Sequence, residues 1–511
     1  MTHDQFFIGI DSGTQGTKAI AFSIQKKKIV VRDYSGYAIS ENRHGGREQD
    51  PVVWINACRK VLTTIISSPE VDSHQIKAIG VSGQQHGLVP LDKHGKTIRP
   101  AKLWCDTQTE PQCKALTRVL GGHDKVIQII GNTIAPGFTA PKILWLKENE
   151  PQNYEKLTSI LLPHDFINFW LTGEKKTEPG DASGTAYFNV PNRCWEKKIL
   201  DAIDDSGQLD TCLPPIISSR EPVGYISDKI AKSFNLPSGV VVSSGGGDNM
   251  MAAIGTGNVE PGVVTASLGT SGTIYAYSNT PVIDPKGEVA AFCSSSGGWL
   301  PLVCTMNVTV ATELVRHLFE YDLEKFNMLA QQANPGADGI VLLPYFNGER
   351  TPALPQATAS FHGLTPFNFT QRNLCRASME GATLGLKYAL EALKTCGISP
   401  KEIRLTGGGS KSSLWRQMTA DILGYQVVPA MDSEAGALGA AIQAMWCWYN
   451  ENHVKTGLKD LTDEYIMTNK KERCTPIPNN QNSYARIYER YLTINDSMAP
   501  VFKNKTFNID A

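Results

Sequence analysis

Phe6-Phe7-Ile8-Gly9-Ile10-Asp11-Ser12-Gly13-Thr14-Gln15-Gly16-Thr17-Lys18-Ala19-Ile20-Ala21-Phe22 sets two short apolar runs around a polar, glycine-bearing turn. That pattern predicts a β-hairpin. Glycines let backbone N–H groups approach an anion closely, and threonine hydroxyls add donors. The turn suits a phosphate, although Gly and Thr also serve ordinary tight hairpins. The arrangement recurs. Val263-Val264-Thr265-Ala266-Ser267-Leu268 leads into Gly269-Thr270-Ser271-Gly272-Thr273, and Ile274-Tyr275-Ala276-Tyr277 follows. Gly-Thr-x-Gly-Thr therefore occurs twice, 256 residues apart in a chain of 511. Recurrence at half-length with matching strand flanks predicts two related domains, 1–256 and 257–511. Two such turns facing one cleft suit a nucleotide phosphate clamp.

Working outward, Pro51 to Ile66 carries apolar residues at helical spacing, with Asp50 as N-cap and Pro51 at the first helical position. Ile76-Lys77-Ala78-Ile79-Gly80-Val81 reads as the next strand. Strands alternating with helices indicate an α/β class. His94-Gly95-Lys96-Thr97 imitates the end of a P-loop, but Pro90 stands where that motif needs its first glycine. Leu91 to Ile98 is read as a hairpin turn instead, and Lys26-Lys27-Lys28 as a solvated turn.

Lys and Arg total 49 against 50 Asp and Glu, and apolar residues make up 41%. This composition is that of a folded globular protein, and neutrality argues against a nucleic-acid partner bound through a broad basic field. No apolar run approaches the ~18 residues of a membrane span. No secretory pattern is visible near the N-terminus. The eleven cysteines include no C-x-x-C pair and read as inert reduced thiols. A cytoplasmic protein without membrane or nucleic-acid partners is expected.

Val240-Val241-Val242-Ser243-Ser244 runs into Gly245-Gly246-Gly247-Asp248-Asn249 and a small-residue helix. The glycines clear space around Asp248, which suits a general base taking a proton from a hydroxyl; a helix N-cap is the plainer role. Asn249 can both donate and accept beside it. Asp11, at a strand end beside the first phosphate turn, could hold Mg²⁺ or form an Asx turn. Val81-Ser82-Gly83-Gln84-Gln85-His86-Gly87 ends a strand with two amides and an imidazole, a set that fits a ketose or polyol. No second histidine lies at metal-ligand spacing, so zinc is not expected. Leu405 to Trp415 reads as strand, glycine-rich turn and helix start, capped by Ser410 or Ser412. Its glycines leave a flat gap for an adenine or ribose. Ala435-Gly436-Ala437-Leu438-Gly439-Ala440-Ala441 reads as a helix built for close packing.

From about Ile8 to Trp448 the chain resembles the carbohydrate kinase family named for its Phe-Gly-Gly-Tyr motif. Gly137-Phe138-Thr139-Ala140-Pro141-Lys142-Ile143-Leu144-Trp145-Leu146-Lys147-Glu148-Asn149 matches the family's first signature. The second is matched from Ala359 to Glu380, through Phe361, Gly363-Leu364, Asn373-Leu374 and Ala377-Ser378-Met379-Glu380. Gln84-Gln85-His86-Gly87, Leu162-Pro163-His164-Asp165, Asp181-Ala182-Ser183-Gly184-Thr185 and Gly246-Gly247-Asp248-Asn249 point to the branch acting on D-xylulose. Glycerol-acting members usually carry Arg-Glu at Gln85-His86. Leu103-Trp104-Cys105-Asp106-Thr107 departs from the commoner Trp-Asn-Asp-x-Arg run, and Asn347 replaces the usual Ser before Gly348-Glu349-Arg350-Thr351-Pro352.

The resemblance implies two ribonuclease-H-like α/β domains, as in actin, hexokinase and the Hsp70 ATPase, around a central cleft. The N-terminal domain would take the sugar and the C-terminal domain ATP. It implies Asp248 as general base, Gln85, His86 and Asn249 as sugar contacts, and Asp11 in the Mg²⁺–phosphate system. Thr14 and Thr270 match phosphate-turn positions, and Gly408, Gly409 and Ser412 the adenosine loop. The same fold and base would serve ribulose, a deoxyketose, gluconate or a polyol, and an actin- or Hsp70-like ATPase is the remote alternative. A homodimer is among the assemblies left open. Beyond Asn450, a polar loop is expected over Asn469 to Gln481, an amphipathic helix over Ser483 to Leu492, and fraying over Pro500–Ala511.

Overall fold

The computed structural model describes residues 4–503. Their packing forms two compact units. One holds residues 4–260, 277–300 and 434–466; the other holds 261–276, 301–433 and 467–503. The first break lies near residue 256, but two later segments return to the first unit.

The first unit is built on a seven-stranded sheet. Pro222–Tyr225, Val241–Ser243, Ile76–Gly83, Phe6–Ser12, Gly16–Ser23 and Lys28–Gly36 are neighbours in that order, and Gly246–Gly247 also pairs with Ile76–Gly83. Phe6–Ser12 and Gly16–Ser23 form the expected hairpin, with Asp11 opposite Lys18 and Ser12 opposite Thr17. On its other edge Phe6–Ser12 runs parallel to Ile76–Gly83, which sets Asp11 beside Ser82. Helix Pro51–Ile66 starts as expected, Asp50 accepting the Val52 N–H at 3.0 Å. It buries Trp54, Cys58, Val61, Leu62 and Ile65, at helical spacing, against the sheet core.

Helix Ala435–Glu451 belongs to this unit although the chain reaches it only after most of the second unit. Glycines explain how closely it lies. A Cβ on Gly9 would overlap the Ala437 carbonyl, and one on Gly80 the Ala440 carbonyl. Gly255 and Gly439 let helix Asp248–Gly255 meet it backbone to backbone in the same way. The small-residue stretch is a packing helix, as expected.

The second unit has a five-stranded sheet in the order Leu302–Thr305, Gly272–Ala276, Val263–Leu268, Glu402–Thr406, Gln426–Pro429. The first three run antiparallel and the last three parallel. Lys28–Gly36, Gly16–Ser23, Phe6–Ser12, Ile76–Gly83 and Val241–Ser243 repeat that order and sense in the first unit. The duplicated turn is thus one part of a duplicated ribonuclease-H-like sheet, and each copy joins the central strand to its antiparallel neighbour.

Helix Pro478–Lys503 is longer than expected and begins inside the stretch read as loop. Proline is tolerated at a helix start, where its missing N–H has no intrahelical partner to lose. Tyr484 fastens this helix to the second unit: its hydroxyl donates to Glu380 and accepts from Arg376. Of the segment expected to fray, 500–503 is helical and 504–511 lies outside the described residues. Leu91 to Ile98 is a tight turn, with the Asp92 N–H on the Lys96 carbonyl at 2.9 Å. All eleven cysteines are free, six of them buried. Among the described residues no helix is long and apolar enough to cross a membrane.

Candidate active site

Asp11 ends the central strand of the first unit and is no Asx turn, since it pairs within the sheet on both sides. Ser82 donates its hydroxyl to Asp11 Oδ1 at 2.6 Å. Lys18, opposite in register, pairs with Glu434 at 2.9 Å. Burial raises the Asp11 carboxyl; the Ser82 bond and the Lys18 charge oppose that rise. The first turn of helix Ala435–Glu451 abuts the group. A Cβ on Gly436 would lie 2.9–3.0 Å from the carboxylate atoms, so only glycine lets the start of the helix come this close to Asp11.

Asp248 stands at the first position of helix Asp248–Gly255, and Gly247 rather than Asp248 occupies the cap. The expected three-glycine turn is more ordered than a turn. Gly245 has φ of +69°, and Gly246–Gly247 then pair in parallel with Ser82 and Gly83. A Cβ on Gly247 would meet Gln85 Cγ at 2.8 Å, so the glycine admits Gln85 to the site. The strand-like glycines aim Asp248 into the same end of the sheet as Asp11. Its Oδ1 accepts from the Asn249 backbone N–H at 2.7 Å and the Asn249 amide at 3.0 Å. The other hydrogen of that amide goes to Gln85 Oε1 at 2.7 Å. Burial, and next the negative charge on Asp11, push the Asp248 carboxyl up to about 7. A carboxyl there is half-ionised at neutral pH, which suits a general base.

His86 lies beside this cluster with its ring 5.0 Å from Phe138, edge-on, and 6.2 Å from Phe292, stacked. Phe292 comes from segment 277–300, so the return of that segment completes the surroundings of His86. The His86 N–H donates to Asp181 Oδ1 at 2.9 Å. Asp181, Lys142 and His164 were absent from the expected site. Their signal was visible only as the quoted signature and branch motifs, which carry no indication of what each side chain touches.

The first Gly-Thr turn is tied down locally. Thr14 Oγ1 accepts the Trp104 indole N–H at 3.0 Å, and the Thr14 carbonyl accepts from Gln49 Nε2 at 2.8 Å. The Thr14 hydroxyl keeps its own hydrogen for an anion. Asp106 is committed to its loop, accepting from the Arg47 and Gln108 N–H groups and from Lys102.

In the second unit Thr270 stands exposed at the tip of the second turn. The Val308 and Thr309 N–H groups hold the Thr270 and Gly269 carbonyls at 3.1 and 2.9 Å. Gly407, with φ of +84°, brings the next loop against this turn: a Cβ there would lie 2.6 Å from the Leu268 carbonyl atoms. Gly408 faces open space, whereas Gly409 is buried under Leu268 and Trp415. Ser412 is the helix cap. Its hydroxyl accepts from the Trp415 N–H at 3.3 Å and donates to Asn327 at 2.9 Å, leaving one acceptor lone pair for a ligand.

A family model described as "FGGY family of carbohydrate kinases, N-terminal domain" matches residues 6–255, and its C-terminal counterpart matches 264–448. A xylulose kinase of Haemophilus influenzae is 44% identical over 491 residues, 95% of this chain and 99% of that protein. A xylulose kinase of Streptomyces rubiginosus is 36% identical over 438 residues, 86% of this chain and 87% of its own length. The crystal structure of a xyloylose kinase from Brucella ovis superposes with a TM-score of 0.90 at 27% identity, covering 97% of this chain and 100% of that one.

Proposed function

The chain belongs to the FGGY family of carbohydrate kinases, and on that premise we propose that it transfers the γ-phosphoryl group of ATP to the 5-hydroxyl of D-xylulose. The products are D-xylulose 5-phosphate and ADP. One observation supports the reading above the rest: Asp248, poised near neutrality, is joined through Asn249 to Gln85 at the sugar-recognising strand end.

A hydroxyl is a poor nucleophile until its proton can leave. Asp248 accepts that proton as the phosphoryl group moves, a contribution of about 10²–10⁴-fold. The ketose hydroxyls find donors and acceptors in Gln85, His86 and Asn249. Phosphoryl transfer passes through a loose transition state, so holding both reactants in line and stabilising charge supply most of the rate. Thr14, Thr270 and the loop bearing Gly408, Gly409 and Ser412 are the residues we assign to ATP. Gly408 offers open backbone to the base or ribose, Gly409 shapes the loop from beneath, and Ser412 caps the helix behind it.

Asp11 fits Mg²⁺. Ser82 takes one oxygen of its carboxylate, at the strand end that leads into the first Gly-Thr turn. That suits an ion which keeps several waters and takes one or two carboxylates plus phosphate oxygens. When bound, Mg²⁺ neutralises developing charge on the β- and γ-phosphates. The use of ATP argues for action in the cytoplasm.

The decisive experiment is an ADP-release assay across D-xylulose, ribulose, a deoxyketose, gluconate and glycerol, with wild type and Asp248→Ala. Transfer to D-xylulose should exceed the others and vanish in the variant. Absence of D-xylulose phosphorylation, or turnover retained by the variant, rejects the reading.

A further inference from the structure

His86 has a backbone φ of +40°. Residues with a Cβ avoid this region, because the Cβ crowds the neighbouring carbonyl, and hold it only where the surroundings impose it. Here both adjoining peptide groups are gripped. The N–H goes to Asp181 Oδ1, and the carbonyl accepts from Lys142 Nζ at 3.1 Å and Thr139 Oγ1 at 3.0 Å. Lys142 is braced in turn by the Gly137 carbonyl at 2.6 Å.

Asp181 is itself fixed from behind. Its Oδ2 takes His164 Nδ1 at 3.0 Å, and His164 Nε2 faces Asp165 Oδ1 at 2.9 Å. Burial draws the imidazole down, but Asp165 and Asp181 outweigh it and hold His164 well above the ordinary histidine value. Asp165, Asp181, His164, Lys142 and Thr139 are all buried. Buried ionic groups are poor stabilisers compared with apolar residues of the same volume, so their placement calls for a specific task. Gly184 makes the clamp sterically feasible, since a Cβ there would overlap the His86 ring.

We propose that Asp181 and Lys142 are positioning residues for ketose recognition, clamping the two peptide groups of His86 so that its imidazole meets the sugar in a single orientation. Asp165 and His164 complete the brace behind Asp181. The inference rests on His86 contacting the sugar, as in the proposed function.

The test is a set of double-mutant cycles read as KM for D-xylulose and KM for ATP. Asp181→Asn and Lys142→Met should each raise the xylulose KM about tenfold, with the ATP KM within about twofold. In a His86→Ala background neither should add more than about twofold, because the group they position is gone. Full multiplication on His86→Ala, or an equal rise in both KM values, overturns the clamp. If either variant fails to fold, Thr139→Val removes a single hydroxyl; it should raise the xylulose KM about threefold and be silent beside His86→Ala. An unchanged xylulose KM in Thr139→Val overturns the clamp. An unchanged xylulose KM in His86→Ala alone overturns the sugar-contact reading, and the clamp with it.

Discussion

Asn249 donates its side-chain amide to Gln85 Oε1 at 2.7 Å, bridging positions 164 residues apart. The same nitrogen serves Asp248 Oδ1. One amide thus ties the strand end that carries Gln85 to the carboxylate proposed as the base. Asn249→Asp removes both donors and sets a further negative charge beside Asp248. The Asp248 carboxyl should rise further, since like charge disfavours ionisation. Turnover at pH 7 should fall at least about tenfold and recover in part near pH 9. A pH series of kcat for the variant checks this; a loss equal at both pH values contradicts it.

The position of Asp248 near 7 fixes the sign of two pH effects. A base must be unprotonated, so kcat/KM for D-xylulose should climb through an inflection near 7 and level above it. For stability the direction reverses. A carboxyl raised on folding contributes stability that is full below its ordinary value of 3.8 and lost as pH rises to about 7. Asp248→Asn escapes that loss. Its melting temperature should match wild type near pH 4, pull ahead by about 2–5 °C as pH approaches 7, and then keep a constant lead. Parallel melting curves across this range would contradict the assignment, whatever the variant's activity.

Much of this was legible in the sequence because it is local. The Phe6 to Phe22 hairpin, its copy at Val263 to Ala276 and the Asp50 cap each depend on neighbouring residues, and each lies where the pattern put it. Asp248, Asn249 and Gln85 come together because Gly246–Gly247 continue the sheet beside the strand that leads to Gln85 and His86. What escaped depends on distant segments. Nothing around residue 435 signals that Gly436 brings the start of its helix against Asp11. Nor does Lys142, in a signature helix, signal that it grips the His86 carbonyl. The helix expected over Ser483 to Leu492 is present, but its start at Pro478 was placed too late for another reason: proline reads as a breaker unless its first-position exception is applied.

Gly436, in the first turn of helix Ala435–Glu451, and Gly9, in the strand beneath it, should respond differently to alanine. Gly436→Ala puts a Cβ about 2.9 Å from a carboxylate already held by Ser82, so Asp11 must turn away. Turnover should fall about tenfold and the Mg²⁺ concentration for half-maximal rate should rise, with stability changed by less than about 1 kcal/mol. Gly9→Ala drives a Cβ into the Ala437 carbonyl, backbone on backbone, and should remove about 3 kcal/mol of stability. Denaturant unfolding beside a Mg²⁺ titration separates the two. A stable Gly9→Ala protein would show that the helix can lift from the sheet.

The second-unit loop offers the matching contrast for the nucleotide. Gly407 needs both its positive φ and its lack of a Cβ, since a side chain would strike the backbone at Leu268. Gly407→Ala should displace the loop from the Thr270 turn, raising the ATP KM about tenfold and costing about 1–3 kcal/mol of stability. Gly408 is exposed, with nothing within 4 Å of the added carbon. Gly408→Ala should leave unfolding within about 0.5 kcal/mol of wild type, so any rise in its ATP KM must come from the nucleotide and not from the fold. Titration with an ATP analogue measures this directly: the assignment of Gly408 to the adenosine site requires Gly408→Ala to weaken binding about threefold or more while the xylulose KM stays fixed. Unchanged analogue affinity would remove Gly408 from that site and leave Gly407 with a purely architectural role.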